Sequence, residues 1–339
     1  MRRPSPSTTP FCHVTWQRHG GRAEEMAYAL GGRAVHVYPG ALAARRLVLV
    51  RYAVSVLLTA AALVRLRPRA VVVVNPPVVP GLVVAAYARL TGARFLLDSH
   101  TSSFGVKGNA VAARTLGITR WLGRRSSGVM VTTSSWVAEV QRWGARGLVV
   151  HEAPPAWQVA PAVRSERPQV LFVGVFSSDE PVAEVVAAAA LLPDVDVLVT
   201  GDVDRAPAGM VEAAPSNVVF TGFLDQQAYR ARLEQSDVVL ALTTEPTSVM
   251  RAAYEAVYAR RALVVSDWPT LREVFPLARH RGNEAAALAD GVREALSDDP
   301  AAAADRAEQA LSVQAERWDD QLDAMRTALA LPVPTPQGA

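Results

Sequence analysis

The stretch "VVLALTTEPTSVMRAAYEAVYARRALVVS", Val238–Ser266, decides the fold. Short apolar runs stand at its two ends, and between them the apolar residues recur at helical spacing. Continuous Val and Leu runs suit strands that are buried on both faces, and a helix that joins two such strands makes them parallel. The stretch therefore predicts one strand–helix–strand unit of a parallel α/β sheet.

The same alternation of apolar runs and amphipathic stretches continues along the chain in both directions. Runs such as "AVVVV" (70–74) and "RFLLD" (94–98) precede a proline-rich segment at 152–169, and "VLFVGVF" (170–176) follows it. Proline-rich segments without an apolar period are typical of linkers, and 339 residues suit two domains. The sequence predicts an α/β protein with two Rossmann-like, doubly wound parallel-sheet domains that face a cleft at their strand ends.

The predicted division of the chain follows from these patterns. The C-terminal segment has a helical period, and we expect it to pack back toward the first domain before a flexible tail. The first domain, the linker, the second domain, the helical segment and the tail are assigned to residues 1–151, 152–169, 170–300, 301–331 and 332–339.

Composition argues against several classes of protein. Cys12 is the only cysteine, so no disulfide forms within the chain, and no Cys/His cluster has the spacing of a metal site. The basic N-terminus has no apolar core after it, so we expect no signal peptide and a cytoplasmic protein. We expect no nucleic-acid partner, because the sequence has no motif for base stacking or groove readout.

Charge is divided unevenly between the two halves. Residues 1–151 contain 20 Lys and Arg against 4 Asp and Glu, whereas residues 152–339 contain 15 against 28. This indicates that the first half meets an anionic surface, unless the imbalance lies on ordinary solvated faces. Ala43–Leu66 is a long amphipathic stretch with several arginines, which favours peripheral binding to an anionic membrane, with packing as a core helix as the alternative. Its most apolar part, Tyr52–Val64, is too short to span a bilayer.

Polar side chains in the opening stretch form a candidate ligand site. Glu245 and the proline after it turn the chain, and Thr247 or Ser248 is predicted to cap the helix. Ser248, Arg251 and Glu255 then share one helix face. The helix start and Arg251 suit a diphosphate, and Glu255 suits two ribose hydroxyls. The alternative is an ordinary ion pair between Arg251 and Glu255 on the helix surface.

Two other strand ends of the second half carry candidate donor-binding residues. Gly174 and Ser177 follow its first strand, where the next helix presents free N–H groups to an anion. Gly222 and Phe223 end a later strand, where an apolar loop after a glycine suits a flat base. A plain helix cap and a simple turn are the alternatives at these two places.

From about Val170 to Leu296 the order of these motifs resembles the donor domain of GT-B glycosyltransferases, most closely of family 4. The resemblance implies that Glu255 binds the donor ribose and that Glu245 lies near the donor sugar. Two features depart from the family pattern. The interval between the two acids is longer by two residues, and "FSSDEPVAEVV" (176–186) lacks the basic pair that the family places over the diphosphate.

Strand ends of the first half resemble the acceptor domain of the same family and of mannosyltransferases that act on lipid-linked sugars. Asn75 ends one strand before two prolines, and Asp98 and His100 end the next. The resemblance implies that His100 faces the reacting sugar, with Asp98 orienting it, and that Asn75 and Lys107 contact the acceptor. The alternative for His100 is a hydrogen bond to a loop carbonyl.

A pair of glycines lies between the first predicted strand and its helix. Glycine lets a ligand approach the backbone closely. The family resemblance implies that this loop borders the donor phosphates, which assigns Gly20 and Gly21 to the donor, with a tight turn as the alternative.

The resemblance implies a metal-independent hexosyltransferase without a cofactor. It would move a sugar, with retention, from a UDP- or GDP-linked donor to a hydroxyl of a glycan or lipid-linked acceptor. Polysaccharide or glycoconjugate biosynthesis at the inner face of the cell membrane is the implied setting. A sugar-nucleotide isomerase (epimerase) on the same fold and a non-catalytic carbohydrate-binding relative are the alternatives.

Overall fold

A computed structural model describes residues 11–18, 21–105, 110–155 and 166–332. The chain divides into two compact units, of which the first comprises residues 1–153 and 317–339 and the second residues 154–316. Gly20 and Lys107, two of the predicted site residues, lie outside the described ranges.

The first unit is built around a parallel sheet with the strand order β2-β1-β3-β4-β5-β6. Helices connect successive strands, as parallel pairing requires. Its strands and helices are β1 (Phe11–Thr15), α1 (Gly21–Ala29), β2 (Arg33–His36), α2 (Val48–Leu66), β3 (Ala70–Asn75), α3 (Val78–Thr91), β4 (Arg94–Ser99), α4 (Ala110–Gly123), β5 (Gly128–Val131), α5 (Ser134–Arg142) and β6 (Gly147–Val149).

The second unit contains another parallel sheet, with the strand order β12-β11-β10-β7-β8-β9. Its strands and helices are β7 (Gln169–Phe172), α6 (Val182–Ala190), β8 (Asp196–Thr200), β9 (Val218–Gly222), α7 (Gln226–Gln235), β10 (Val238–Ala241), α8 (Arg251–Tyr258), β11 (Ala262–Ser266), α9 (Pro269–Val274), β12 (Arg279–Arg281) and α10 (Ala285–Leu296). A final helix, α11 (Pro300–Leu329), begins in this unit.

The predicted class of two Rossmann-like parallel-sheet domains is confirmed, but the two sheets differ in topology. In the second unit the order is the classic Rossmann order, with the reversal between β7 and β10. In the first unit the order is that of the other common doubly wound fold, with the reversal between β1 and β3. Each sheet therefore has one switch point, at which neighbouring connections leave in opposite directions.

Both faces of each sheet are covered, which explains the continuous apolar runs. In β3, Ala70 and Val72 belong to one hydrophobic cluster, and Val71 and Val73 belong to the cluster on the opposite face. All four side chains have no solvent exposure. Alternate residues of a strand point to opposite faces, so a strand covered on both sides needs apolar residues throughout.

Helix α2 has its polar residues on the inside. Ser55 and Thr59 are buried together with Leu63, and the Thr59 hydroxyl accepts a hydrogen bond from Trp16 Nε1 at 2.9 Å. Leu49 and Leu57, by contrast, are 82% and 69% exposed. The helix therefore presents an apolar face to its surroundings and packs through small polar residues.

The expectation that this segment is too short to span a bilayer is wrong as to length. The apolar helix extends beyond Tyr52–Val64 and runs for 19 residues, Val48–Leu66. Among the described residues it is the one helix long and apolar enough, by length and composition alone, to cross a membrane. It also serves as the crossover between β2 and β3, a position that places one side of it against the sheet.

The C-terminal helix α11 contributes to the core of the first unit. Trp318, Leu322 and Met325 are buried in the cluster that contains Phe11 and Leu96. The helix thus covers one face of the first sheet near the middle strands. Its earlier part belongs to the second unit, where Gln314 Nε2 donates to the Val274 carbonyl at 2.6 Å.

Candidate active site

Two loops meet at the switch point of the second unit. One loop follows β7 and contains Gly174 and Ser177, and the other follows β10 and leads into α8. The Thr244 N–H donates to the Asp179 carbonyl at 2.7 Å and ties the two loops together. Ligands of doubly wound sheets bind at this place, outside the carboxyl ends of the strands.

The end of β10 is held rigidly by its neighbours. The Thr243 N–H donates to Ser266 Oγ at 2.9 Å. The Thr243 carbonyl accepts from Trp268 Nε1 at 3.0 Å and from Asn283 Nδ2 at 3.1 Å. Because both backbone groups of Thr243 are satisfied, the following loop starts from a fixed point.

The predicted capping of α8 by Thr247 or Ser248 is wrong. The helix begins at Arg251, and its N-cap residue, Met250, makes no side-chain capping hydrogen bond. The residues before it form a turn in which the Ser248 N–H donates to the Glu245 carbonyl at 3.1 Å. The Thr247 hydroxyl donates to Glu245 Oε1 at 2.9 Å, so the Glu245 carboxylate supports this turn. Ser248 therefore does not share a helix face with Arg251.

Glu255 is almost completely buried, and both of its oxygens are hydrogen-bonded. Oε1 accepts from Arg251 Nε at 2.8 Å, and Oε2 accepts from the Tyr229 hydroxyl at 2.6 Å. The ion pair that the sequence left as an alternative is thus present, but in a buried setting rather than on a solvated surface. Burial and the adjacent Glu255 carboxylate raise the pKa of Tyr229 well above its ordinary value.

Sequence reasoning missed Tyr229. It lies on α7, 26 residues before Glu255, and the residues around it give no sign of this long-range contact. Tyr229 and Arg251 together hold the Glu255 carboxylate from two sides. A hydrogen bond to a charged group of this kind is stronger than one between neutral groups.

The ends of β7, β8 and β9 lie side by side in the second unit. Gly174 exchanges two hydrogen bonds with Thr200 Oγ1, at 3.0 and 3.1 Å, and the Gly201 N–H donates to the Gly222 carbonyl at 3.2 Å. Phe223 follows Gly222 and is 83% exposed. The structure thus brings Gly174 and Gly222 to one edge of the second sheet, with the exposed ring of Phe223 following Gly222.

Three predicted residues of the first unit, Asn75, Asp98 and His100, lie at the carboxyl ends of β3 and β4. Asn75 pairs with Ser99 in the strand register, and the His100 N–H donates to the Asn75 carbonyl at 3.0 Å. Asn75 Nδ2 donates to Ser99 Oγ and to Thr119 Oγ1, both at 3.3 Å. Within the described part of the chain, Asn75 Oδ1 is buried without a hydrogen-bond partner.

The predicted role of Asp98 as the orienter of His100 is not what the structure shows. Asp98 is buried, and its two oxygens accept hydrogen bonds from Nε and Nη2 of Arg22, each at 3.1 Å. Arg22 Nη1 also donates to Glu152 Oε1 and to the His151 carbonyl, both at 2.8 Å. Asp98 therefore anchors the start of α1 to the end of β4.

Electrostatics within this cluster are dominated by burial and by Arg22. Burial raises the pKa of the Asp98 carboxyl, but the charge and hydrogen bonds of Arg22 outweigh it and hold that pKa below its ordinary range. His13 Nε2 lies 3.8 Å from Asp98 Oδ2, yet burial lowers the pKa of His13 to about 4. At neutral pH the cluster holds a charged Arg22–Asp98 pair beside a neutral histidine.

A cavity of about 480 Å³ lies beside the switch point of the first unit. It is bordered by the segments that follow β1, β2 and β3, and by the first half of α2. Its lining is mainly apolar and aromatic, and includes Trp16, Tyr38, Tyr52, Pro76 and Pro77. These aromatic residues are far apart in the chain, so no local sequence pattern indicates this cavity.

One segment of the chain is similar to a known protein family. Residues 167–311 match the family model described as Glycosyl transferases group 1. The matched segment lies within the second unit and covers most of it. No curated protein matches the chain in sequence.

Solved structures with similar folds cover almost the whole chain. HepE of Anabaena, in complex with UDP and glucose, has a TM-score of 0.67 and 13% identity, with coverage of 95% of this chain and 98% of that chain. Sucrose-phosphate synthase from Thermosynechococcus elongatus has a TM-score of 0.64 and 18% identity, and the match covers 95% of this chain and 86% of that chain. A glycosyltransferase from Rickettsia africae has a TM-score of 0.61 and 14% identity, and the match covers 95% of this chain and 99% of that chain. The chain therefore has the GT-B fold.

The buried pair of Arg22 and Asp98 gives a stability prediction. Replacement of Arg22 by Leu leaves the Asp98 carboxylate buried without its partner, so we expect the free energy of unfolding to fall by about 3–5 kcal/mol. Urea unfolding followed by circular dichroism measures this loss.

Two further variants make the measurement specific. Arg33→Leu removes an exposed arginine of the same unit and is expected to change stability little. The double variant Arg22→Leu, Asp98→Leu is expected to be more stable than Arg22→Leu alone, since it removes the unpaired Asp98 carboxylate and leaves only the less deeply buried Glu152 without its contact to Arg22. Equal stabilities for the single and double variants would contradict the pairing.

Proposed function

We propose that the chain is a glycosyltransferase that binds a nucleotide diphosphate sugar at the switch point of its second unit. The observation that carries this proposal is the position of Glu255. The residue is 9% exposed, lies on the helix that follows the switch-point loop, and falls inside the segment that matches the family model. Acidic residues bind ribose hydroxyls in other doubly wound nucleotide-binding folds, although from a different position in the unit.

The donor is assigned to residues that the structure places on one sheet edge. Glu255 takes the ribose, while the start of α8 and the Arg251 guanidinium take the diphosphate. Phe223 supplies an exposed ring for the base. The UDP bound to HepE supports UDP as the first nucleotide to test, with GDP as the second.

The acceptor is assigned to the first unit. His100 and Asn75 stand at the carboxyl ends of neighbouring strands, and the aromatic cavity lies beside the switch point. We propose a glycan or lipid-linked acceptor whose hydroxyl is oriented by His100 and whose apolar part enters the cavity. Transfer with retention and without a metal ion, in polysaccharide or glycoconjugate biosynthesis, completes the proposal.

The role of the protein in the reaction is positional and electrostatic. The helix start and Arg251 stabilise the negative charge that grows on the leaving diphosphate, because both are fixed before the reaction begins. His100 holds the attacking hydroxyl in place and exchanges its proton. Asp98, which is engaged with Arg22, holds the backbone from which His100 projects.

The exposed face of α2 supports peripheral attachment to an anionic membrane. Leu49, Leu57 and Val64 are more than half exposed, and Arg46 and Arg65 are exposed near the two ends of the helix. A helix with an apolar outer face and terminal arginines suits the boundary between headgroups and acyl chains. We assign this attachment to the cytoplasmic face of the cell membrane.

The donor site is tested with Glu255→Ala. We expect the variant to bind UDP or GDP at least tenfold more weakly, because hydrogen bonds to a charged group contribute about 1.5–3 kcal/mol. Isothermal titration calorimetry measures the affinity, and Glu273→Ala on α9 serves as a control of equal charge change. Unchanged affinity in Glu255→Ala would remove its ribose role, and a wild-type protein that binds neither nucleotide would refute the donor site.

The role of His100 is tested by separating turnover from donor binding. We expect His100→Ala to lower kcat by about 10²-fold, the range for loss of a proton-transfer group, with an unchanged donor affinity. Release of UDP or GDP from the donor sugar in the presence of a lipid or glycan extract measures turnover. His36→Ala, which removes another partly buried histidine of the same unit, is the control. An equal loss in both variants would argue against a special role for His100.

Membrane attachment is tested with the double variant Leu49→Ser, Leu57→Ser. We expect its partition onto vesicles that contain phosphatidylglycerol to fall by at least tenfold, because two exposed apolar side chains are lost from the contact. Cosedimentation measures the partition. Tyr28→Ser, at a residue of α1 that is 80% exposed, controls for general loss of surface hydrophobicity. Equal binding to phosphatidylcholine vesicles, or no effect of the double variant, would contradict the assignment.

A further inference from the structure

The Glu180 carboxylate occupies the loop that follows β7. Its Oε1 and Oε2 accept hydrogen bonds from the Val175 N–H at 3.1 and 2.9 Å. Oε2 also accepts from the Ser177 N–H at 3.1 Å. Two backbone N–H groups of the switch-point loop therefore point at one side-chain anion.

The backbone around Glu180 has the form of an anion-binding nest. Phe176 lies between the two donor residues and has a φ of 57°, in the left-handed region that non-glycine residues rarely adopt. A left-handed residue within such a loop turns successive N–H groups toward a common point, where anions bind. The loop is thus shaped for a negative charge, and Glu180 supplies one.

Glycine at position 174 leaves the space that the carboxylate uses. A Cβ at this position would lie 2.9 Å from Glu180 Oε2 and 2.6 Å from the Phe172 ring. The nest is also tied to the other switch-point loop through the hydrogen bond from the Thr244 N–H to the Asp179 carbonyl. It therefore lies within the proposed donor site rather than at a separate place.

The charge of this segment is opposite to that expected of a phosphate site. Residues 170–190 contain no Lys or Arg, but they contain Asp179, Glu180 and Glu184. A phosphate that entered the nest would meet the Glu180 carboxylate at close range. Like charges at such a distance repel strongly where water is partly excluded.

We infer that Glu180 is an internal competitor for the donor phosphate and thereby limits the affinity of the site for diphosphates. This inference rests on the proposed function, because it assigns the donor to the same switch point. A phosphate reaches the Val175 and Ser177 N–H groups only when the Glu180 side chain leaves them. Binding of the donor diphosphate therefore breaks the hydrogen bonds between Glu180 and these two N–H groups. A higher donor concentration is then needed to fill the site.

The inference is tested with Glu180→Gln. Glutamine keeps the shape and one acceptor oxygen for the loop, but it removes the competing charge. We expect UDP, GDP and inorganic pyrophosphate to bind about tenfold more tightly, a change of about 1.4 kcal/mol, whereas uridine binds as before. Calorimetry measures the four affinities, and thermal unfolding checks that the variant folds.

Two further variants separate occupancy of the nest from charge at a distance. Glu184→Gln makes the same charge change one turn along at an exposed residue of α6, and we expect pyrophosphate affinity to change less than twofold. Glu180→Asp keeps the charge but shortens the side chain, so we expect an affinity between those of wild type and Glu180→Gln. This variant also serves if Glu180→Gln does not fold.

The outcomes distinguish the inference from the proposed function. Unchanged or weaker pyrophosphate binding in Glu180→Gln, equal gains in Glu180→Gln and Glu184→Gln, or no pyrophosphate binding in any variant overturns the inference. If sugar transfer is measured while Glu180→Gln changes nothing, the function stands and the inference fails. If Glu180→Gln gains affinity for pyrophosphate while no variant transfers sugar, the anion site stands and the function fails.

Discussion

Parallel pairing is the constraint on which both units depend. Parallel strands need crossover connections, so every strand of a sheet ends at the same edge. Where the strand order reverses, neighbouring connections leave to opposite faces and their loops separate. In the second unit the crevice lies between the loops after β7 and β10, which are joined by the hydrogen bond from the Thr244 N–H to the Asp179 carbonyl, and in the first unit the segments after β1 and β3 border a cavity. Polar and aromatic side chains from distant parts of the sequence meet there for this reason.

Three carboxylates at these edges are engaged by partners from the chain itself. Asp98 is held by Arg22, Glu255 by Arg251 and Tyr229, and Glu180 by backbone N–H groups. A buried carboxylate without partners is costly, so internal pairing stabilises the protein when no ligand is present. A ligand must then replace or join an existing partner. The contacts that stabilise the folded chain thus also determine how strongly the site favours each ligand.

The sequence predicted the parts of the fold that depend on local pattern. Continuous apolar runs indicated the strands, and the neighbourhood of Asn75 and His100 followed from two successive strand ends. Local sequence patterns do not predict long-range contacts: Arg22 is 76 residues from Asp98, and Tyr229 is 26 residues from Glu255. The start of α8 was placed too early, because hydroxyl residues that often cap helices here belong to a turn closed by Glu245.

In helix α2 two of the three buried residues are polar, which is the reverse of the usual pattern for an apolar helix. An apolar stripe normally predicts the face that packs on the core, with the polar residues outside. Here Ser55 and Thr59 are buried, and the Thr59 hydroxyl accepts a hydrogen bond from Trp16 Nε1 and donates one to the Ser55 carbonyl. These hydrogen bonds satisfy the buried hydroxyl, and Leu63 is the one leucine of this helix in the hydrophobic cluster below it, so Leu49, Leu57 and Leu58 stay exposed. The exposed apolar side chains of this helix are free to contact another apolar surface. For this reason hydropathy alone does not distinguish a core helix from one that lies on a membrane.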